Sequence, residues 1–211
     1  WVLIDLEHGA CTEPDLQAML LAVEGTTCAP LVRVVSNDQD SIKRALDLGA
    51  TGVMIPYVST AEEANRAVAF TRYPPLGCRG VAGSTIATEF GLSTDDYHAN
   101  IHERTMVIVQ IETAEGVNNI EEIVAVDGVD VVFVGPLDLS YNLGCPKNFE
   151  HPDFIAALQK VLNACQSAGT AVGILSNEDN AKQRLEQGFT FLAVGSDAGA
   201  AKDGLQRLRD A

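Results

Sequence analysis

Residues 130–140, Asp-Val-Val-Phe-Val-Gly-Pro-Leu-Asp-Leu-Ser, give the clearest indication of the fold. The run Asp130–Val134 is almost continuously apolar and does not alternate with polar residues, which is typical of a strand covered on both faces. Gly135 and Pro136 then end the run, and Asp138 follows at once. This pattern predicts one unit of a parallel α/β fold, with an acid near the carboxyl end of its strand.

Similar short apolar runs recur along the chain and are separated by segments that are compatible with helices. The predicted strands are Trp1–Asp5, Leu31–Val35, Gly52–Pro56, Val107–Ile111, Asp130–Val134, Ala171–Leu175 and Thr190–Val194. The predicted helices are Glu13–Glu24, Ser41–Leu48, Ala61–Thr71, Asn119–Val126, Pro152–Ala168 and Glu178–Gln187. Three of these helices end at Gly49, Gly169 and Gly188, a natural helix stop before the next strand.

Seven strands in this β–α order predict a TIM (β/α)8 barrel that is one unit short. Because the chain opens at Trp1 inside an apolar run, we expect the first βα unit to be missing from this sequence. A doubly wound open sheet is the alternative, although no Gly-x-Gly-x-x-Gly motif follows any predicted strand. No linker-like change of composition divides the chain, so we expect residues 1–211 to form one barrel domain.

Residues 77–104 interrupt the β–α repetition. This stretch is long, rich in Gly, Ser and Thr, and weakly periodic. A loop of that length inside a compact α/β domain is more often functional than idle, so we predict a functional loop here.

Composition excludes some partners. The 211 residues contain 29 Asp and Glu against 14 Lys and Arg, for a formal net charge of −15. A chain this acidic is repelled by phosphate backbones and anionic lipid, so nucleic acid and membranes are disfavoured. The longest apolar runs are too short to cross a bilayer. Five widely spaced cysteines without zinc-ligand spacing predict free thiols in a reducing compartment, and we expect a cytoplasmic protein.

Two acids near strand ends are candidate metal ligands. Glu112 directly follows one predicted strand, and Asp138 lies shortly after the next. Carboxylates at the carboxyl ends of parallel strands can hold a divalent ion, with water and substrate filling its other positions. Pairing with arginine or helix capping explains the same residues without a metal.

The first two strands end in residues suited to proton transfer and anion binding. Asp5 and His8 lie three residues apart, and a carboxylate beside an imidazole favours a general base. A surface histidine beside a capping aspartate is the plainer interpretation. Arg33 lies within an apolar strand, where a guanidinium needs either an acid partner or a substrate oxygen. The N–H groups of Leu137 and Asp138 follow a turn and are candidates for binding a carboxylate.

Together these motifs resemble the HpcH/HpaI aldolase family of the pyruvate/phosphoenolpyruvate-binding barrels. The resemblance runs from Trp1 nearly to the C-terminus, and the motifs stand in the family's order and spacing. The matching segments are Leu3–Gly9, Leu31–Val34, Arg72–Gly80, Gln110–Glu112 and Phe133–Ser140.

The resemblance implies a class II aldolase that cleaves 4-hydroxy-2-oxo acids into pyruvate and an aldehyde. In such enzymes two carboxylates, matched here by Glu112 and Asp138, hold Mg²⁺, Mn²⁺ or Co²⁺. The matching Arg33 would stabilise the enolate oxygen, and His8, oriented by Asp5, would move protons. These roles suit retro-aldol chemistry, which needs a preorganised electrophile for the enolate and a base for the hydroxyl proton.

The resemblance also implies binding roles and an assembly. The backbone at Leu137 and Asp138 would hold the pyruvate carboxylate, while Gln110 and Leu175 would line the pocket. A homohexamer with helix exchange between subunits is expected from the resemblance alone. A Schiff-base route is disfavoured because Lys43 and Lys147 do not lie at strand ends.

Other functions fit the same residues. The metal-enolate pocket would also serve oxaloacetate decarboxylation or a macrophomate-synthase-like coupling. A non-catalytic barrel is disfavoured because all the polar positions are intact. A phosphate-binding barrel is suggested only by Val194-Gly195-Ser196 after the last strand.

Overall fold

A computed structural model describes residues 1–210 of the protein. Seven parallel strands form one sheet in which each strand pairs with its neighbour in the sequence. These strands are β1 Val2–Asp5, β2 Pro30–Arg33, β3 Gly52–Ile55, β4 Met106–Ile111, β5 Val131–Val134, β6 Ala171–Ser176 and β7 Phe191–Val194. The sequential parallel order is that of a (β/α) barrel, so the predicted fold class is confirmed.

Helices follow the strands and cover the outer face of the sheet. They are α1 Glu13–Val23, α2 Gln39–Asp47, α3 Ala61–Thr71, α4 Thr94–Arg104, α5 Ala114–Asn118, α6 Ile120–Val124, α7 Pro136–Asn142, α8 Pro152–Ala168, α9 Ala181–Gln187 and α10 Asp197–Arg209. A short 3₁₀ segment, Ile86–Gly91, precedes α4. The longest of these helices, α8, ends at Gly169, whose φ of 76° is the left-handed conformation that glycine adopts readily.

Apolar side chains fill both faces of the sheet. Val32 and Val109 belong to a large core cluster between the sheet and its helices. Their neighbours Leu31 and Ile108 belong to a second cluster on the other face, together with Phe133. Successive strand residues point to opposite faces, so a strand buried on both sides needs apolar residues throughout. This explains why the strands read as continuous apolar runs.

The structure corrects the sequence interpretation at several helices. Residues 94–104 form α4 and do not belong to a long loop, so that prediction was wrong for these residues. None of the α4 residues is buried, so no apolar stripe marks the helix in the sequence. In place of the predicted helix Asn119–Val126 the structure has the shorter helix α6, which follows α5 after one residue. Helices α7 and α10 were also missed.

Two further findings bear on the class of protein. Across residues 1–210, no helix combines the length and the hydrophobicity that crossing a membrane requires. The five cysteines are present as free thiols.

Candidate active site

The carboxyl ends of β1 to β5 lie side by side because the strands are parallel and in sequence order. Asp5 pairs with Arg33 in the register of β1 and β2, and Ile111 pairs with Val134 in that of β4 and β5. Glu112 therefore leaves the sheet beside Gly135, and Asp138 lies in the first turn of α7. Parallel pairing thus brings the predicted polar residues to one edge of the sheet.

Arg33 is held by two acids from the end of β1. Its Nε and Nη2 donate to the two carboxylate oxygens of Asp5 at 2.8 and 2.5 Å, which is a bidentate pair. Its Nη1 lies 3.0 Å from Oε2 of Glu7. Burial alone would raise the pKa of Asp5, but the hydrogen bonds and charge of Arg33 outweigh burial and lower that pKa. Asp5 is therefore a stable carboxylate whose main partner is the arginine.

His8 lies at the outer rim of this cluster. Its side chain is 64% exposed, and its Nε2 lies 3.8 Å from Oε2 of Glu7. Asp5 accepts a hydrogen bond from the main-chain N–H of His8 at 3.3 Å, whereas its carboxylate is bound to Arg33. The expected orientation of the imidazole by Asp5 is therefore replaced by proximity to Glu7. The reason is the strand register, which places Arg33 directly opposite Asp5.

Glu112 is a buried carboxylate with few compensating contacts. Only 2% of the residue is exposed, and its Oε1 accepts from Nε2 of Gln110 at 3.0 Å. Burial is the main reason that the pKa of Glu112 rises to about 7, and the nearby charges of Asp138 and Glu7 raise it further. The N–H of Tyr57 and the charge of Arg33 act in the opposite direction. Near neutral pH, Glu112 can therefore give its proton to a base or to water, and a cation that binds the carboxylate would displace the proton.

The fold makes room for this carboxylate at Gly135. A Cβ atom at position 135 would lie 2.2 Å from Oε1 of Glu112, closer than any side chain can approach. Glycine is therefore required between β5 and α7, because the acid from the neighbouring strand occupies the space.

Tyr57 joins the two predicted metal ligands. Its main-chain N–H donates to Oε2 of Glu112 at 3.1 Å, and its hydroxyl donates to Oδ1 of Asp138 at 2.9 Å. Both acids are therefore within reach of a single residue that follows β3. The hydrogen bond to Asp138 is the main reason that the pKa of the Tyr57 hydroxyl rises to about 12, so it remains a donor.

The cluster fits a divalent cation. Negative charge is in excess, because Asp5, Glu7 and Glu112 all act on Arg33. Asp138 adds a fourth acid beside Glu112. Among residues 1–210 no three His, Cys, Asp or Glu side chains form a ready-made metal cage. Two carboxylates with open positions are the sparse ligation that Mg²⁺ accepts, since it retains water and binds substrate oxygens. A bound cation would also offset the free-energy cost of burying the charge of Glu112.

The remaining predicted binding residues have different surroundings. Gln110 is buried behind Glu112, so it contacts that carboxylate directly. Leu137 and Leu175 are 46% and 49% exposed, at the start of α7 and near the end of β6. The N–H groups of Leu137 and Asp138 belong to the first turn of α7, where helices leave such donors without intrahelical partners.

Sequence reasoning assigned no role to Glu7 or Tyr57. Glu7 stands inside the quoted Leu3–Gly9 segment, and its position after a strand end was a usable signal. Tyr57 follows the predicted strand Gly52–Pro56 in the same way, but an aromatic residue after an apolar run reads as ordinary packing. Its contact with both acids required the tertiary structure.

An acid-rich site at the carboxyl ends of parallel barrel strands lies where enzymes of this fold carry their active sites. The sequence profile described as HpcH/HpaI aldolase/citrate lyase matches residues 1–203. The chain belongs to this family.

Named relatives agree with the assignment. The chain is 44% identical over its full length to 5-keto-4-deoxy-D-glucarate aldolase of Shigella boydii serotype 18, and covers 82% of that protein. An HpcH/HpaI aldolase/citrate lyase family protein from Burkholderia cenocepacia J2315 is 39% identical with a TM-score of 0.93. That match covers 99% of this chain and 85% of the other.

A solved macrophomate synthase is also similar. It is 28% identical, with a TM-score of 0.83, and the match covers 100% of this chain and 75% of that protein. The predicted family and the predicted enzyme class, an aldolase, are confirmed by these matches.

Proposed function

We propose that this chain is a divalent-metal-dependent aldolase that reversibly cleaves 4-hydroxy-2-oxo acids to pyruvate and an aldehyde. One observation carries the proposal: Tyr57 contacts Glu112 and Asp138 together, beside Arg33 and at one edge of the sheet. The name of the Shigella boydii relative supports the substrate class. Numbered from its keto end, 5-keto-4-deoxy-glucarate is itself a 4-hydroxy-2-oxo acid, so a sugar-acid substrate of this type is the first choice.

Glu112 and Asp138 are the residues that would hold the metal, with Mg²⁺, Mn²⁺ and Co²⁺ as the candidates. A divalent cation bound there supplies Lewis-acid chemistry, which favours negative charge on a nearby keto oxygen. Gln110 orients Glu112 for this task through the hydrogen bond from its amide.

Arg33 is positioned to stabilise the enolate oxygen. Its hydrogen bonds to Asp5 fix the plane of the guanidinium, while Nη1 and Nη2 each carry a further N–H group for a substrate oxygen. Donors that are already aligned need no reorganisation when charge develops, and each is worth roughly 10²–10³-fold in rate. The first-turn N–H groups of Leu137 and Asp138 would hold the substrate carboxylate, with Leu175 as an apolar wall.

His8 is the proposed base. It takes the proton from the 4-hydroxyl, that oxygen becomes the aldehyde carbonyl, and the bond between C3 and C4 breaks. The bonding electrons move to the 2-oxo group as an enolate, and a proton returned to C3 gives pyruvate. An exposed imidazole beside Glu7 can exchange protons with solvent between turnovers.

A specific observation favours a second reaction. The likeness to macrophomate synthase favours a macrophomate-synthase-like coupling in the same pocket. Oxaloacetate decarboxylation, in which loss of carbon dioxide gives the same enolate, is the related alternative. Pyruvate release from oxaloacetate, measured beside retro-aldol cleavage, separates the two.

The proposal also covers the cellular compartment and the oligomeric state. Free thiols fit a reducing compartment, so we include the cytoplasm in the proposal. We also include a homo-oligomer, a hexamer by family resemblance. Exposed Leu205 and Leu208 on α10, 69% and 76% accessible, support burial of that helix against another copy.

The test is metal-dependent turnover of a panel of 4-hydroxy-2-oxo acids. We expect the Glu112→Gln protein to lose about 10³-fold or more in kcat/KM, since metal-ion charge stabilisation is worth several kcal/mol. Glu115→Gln, a change at an exposed acid on α5, is the matched control and should keep full activity. Full activity of the EDTA-treated wild-type protein would overturn the proposal.

A further inference from the structure

Tyr57 is placed to act on both carboxylates, but through different atoms. The main-chain N–H reaches Glu112, so that contact does not depend on the side chain. The phenol reaches Asp138, so this contact depends on the hydroxyl alone. Removal of the hydroxyl therefore tests one carboxylate and leaves the contact to the other in place.

The backbone at Tyr57 adopts a conformation that side chains usually avoid. Its φ is +54°, in the left-handed region, which costs an ordinary residue on the order of 1 kcal/mol or more. Glycine would relieve that cost, yet a tyrosine stands at this position. Strain of this kind concentrates at functional sites, where the neighbouring structure enforces it.

Hydrogen bonds on the following residues hold Tyr57 in place. Val58 donates its N–H to the carbonyl of Gln110 at 3.1 Å, and Ser59 donates its N–H to Glu63 at 2.8 Å. Asn119 donates to the carbonyl of Ser59 at 2.9 Å. The segment after β3 is therefore anchored to the end of β4 and to α3. The main chain that carries the phenol is thus held in a fixed position, from which the hydroxyl contacts Asp138.

Asp138 depends on this contact for its orientation. It lies in the first turn of α7 and is only partly buried, and its side-chain hydrogen bond within the described chain is the one from Tyr57. A hydroxyl donating to Oδ1 leaves Oδ2 free and selects one rotamer of the carboxylate. Groups that orient a metal ligand in this way typically change metal affinity 10–100-fold when they are removed.

We propose that Tyr57 is a positioning residue that fixes the carboxylate of Asp138 and thereby sets the affinity of the site for divalent metal. This inference rests on the proposed function, because it assigns Asp138 to the metal. It adds a residue that follows β3 to a site otherwise built from the ends of β1, β2 and β4 and from the first turn of α7.

The experiment measures Mn²⁺ binding to the metal-free protein by calorimetry and by the loss of the free-ion electron paramagnetic resonance signal. The variants are Tyr57→Phe, which keeps the ring, and Tyr57→Gly, which also relieves the backbone. We expect both to bind Mn²⁺ about tenfold more weakly, since both lose the hydroxyl and keep the N–H. Tyr141→Phe is the control, because that exposed tyrosine lies on α7 and should leave affinity unchanged.

Kinetics separate positioning from a structural role. With the Tyr57→Phe protein we expect the Mn²⁺ concentration for half-maximal activity to rise about tenfold, while kcat at saturating Mn²⁺ stays near the wild-type value. Equal Mn²⁺ affinity of the wild-type and Tyr57→Phe proteins overturns the inference and leaves the proposed function intact. A wild-type protein that binds no Mn²⁺ overturns both.

Discussion

Two arginines, one partly buried and one fully buried, occupy very different surroundings in this molecule. Arg33 lies at a strand end with its side chain 17% exposed, and its charge is met by Asp5 and Glu7. Arg79 lies beneath α4 with its side chain fully enclosed, where Nη2 donates to Asp47 at 2.6 Å and to the hydroxyl of Tyr97 at 3.2 Å.

The aromatic rings complete the contrast. The guanidinium of Arg79 lies 4.7 Å from the centre of the Tyr73 ring and 5.6 Å from that of Tyr97, which are cation–π distances. No solvent or substrate reaches it, so its charge can only serve structure. Arg33 keeps an open side and an excess of acid around it. The same side chain therefore holds two helices to a loop in one region and lies in the acid cluster of the candidate site in the other.

Among the tests of this contrast between the two arginines, the largest expected effect comes from Arg33→Lys. Lysine keeps the charge but loses the planar fork, so the bidentate pair with Asp5 is lost. We expect kcat/KM to fall roughly 10²–10³-fold, as for removal of one preorganised donor. Urea unfolding should change by less than about 1 kcal/mol, since lysine keeps a cation beside Asp5 and Glu7 in a site that remains partly open to solvent. A large loss of stability with activity retained would show that Arg33, like Arg79, serves only the structure.

A second expectation concerns pH and Glu112. Its pKa of about 7 in the folded protein is above the ordinary value of 4.5, so the folded state holds a proton that the unfolded state has released. This favourable contribution is complete below pH 4.5 and is lost as pH rises through 7. At pH 8 the wild-type protein has lost this contribution, which amounts to roughly 3 kcal/mol, because its buried carboxylate is ionised. The neutral side chain of the Glu112→Gln protein avoids that cost, so the substitution should be stabilising at pH 8 in EDTA.

Urea unfolding of the wild-type and Glu112→Gln proteins at pH 5 and pH 8 measures this contribution. The difference between the two proteins should grow with pH, and saturating Mg²⁺ should reverse it in favour of the wild type, because the cation binds the ionised carboxylate. An unchanged difference at the two pH values would show that Glu112 does not carry the raised pKa.

The smallest expected effect is that of Arg79→Lys, the same substitution in the other region. An ammonium cannot contact both rings and Asp47 together, so we expect a loss of about 2 kcal/mol in the free energy of unfolding. Activity per folded molecule should remain at the wild-type level. If kcat/KM fell tenfold or more at a temperature well below the unfolding midpoint, the division between the two arginines would fail.

Sequence and structure agree best where a residue's role follows from its position along a strand. The seven apolar runs predicted the strands because both faces of the sheet are covered. Arg33, Glu112 and Asp138 were predicted to meet because parallel strands end at a common edge. Helix α4 was missed for the opposite reason, since it buries none of its residues and so carries no apolar stripe.

The sequence by itself determined the barrel class, the order of its strands and the acids that collect at their ends. The tertiary structure alone decided which of these groups touch: Arg33 takes Asp5, His8 lies by Glu7, and Tyr57 contacts Glu112 and Asp138. Hydrophobic periodicity encodes which face of an element is buried. Pairings among polar side chains depend on strand register, backbone conformation and the space left by residues such as Gly135, and these arise only when the elements pack.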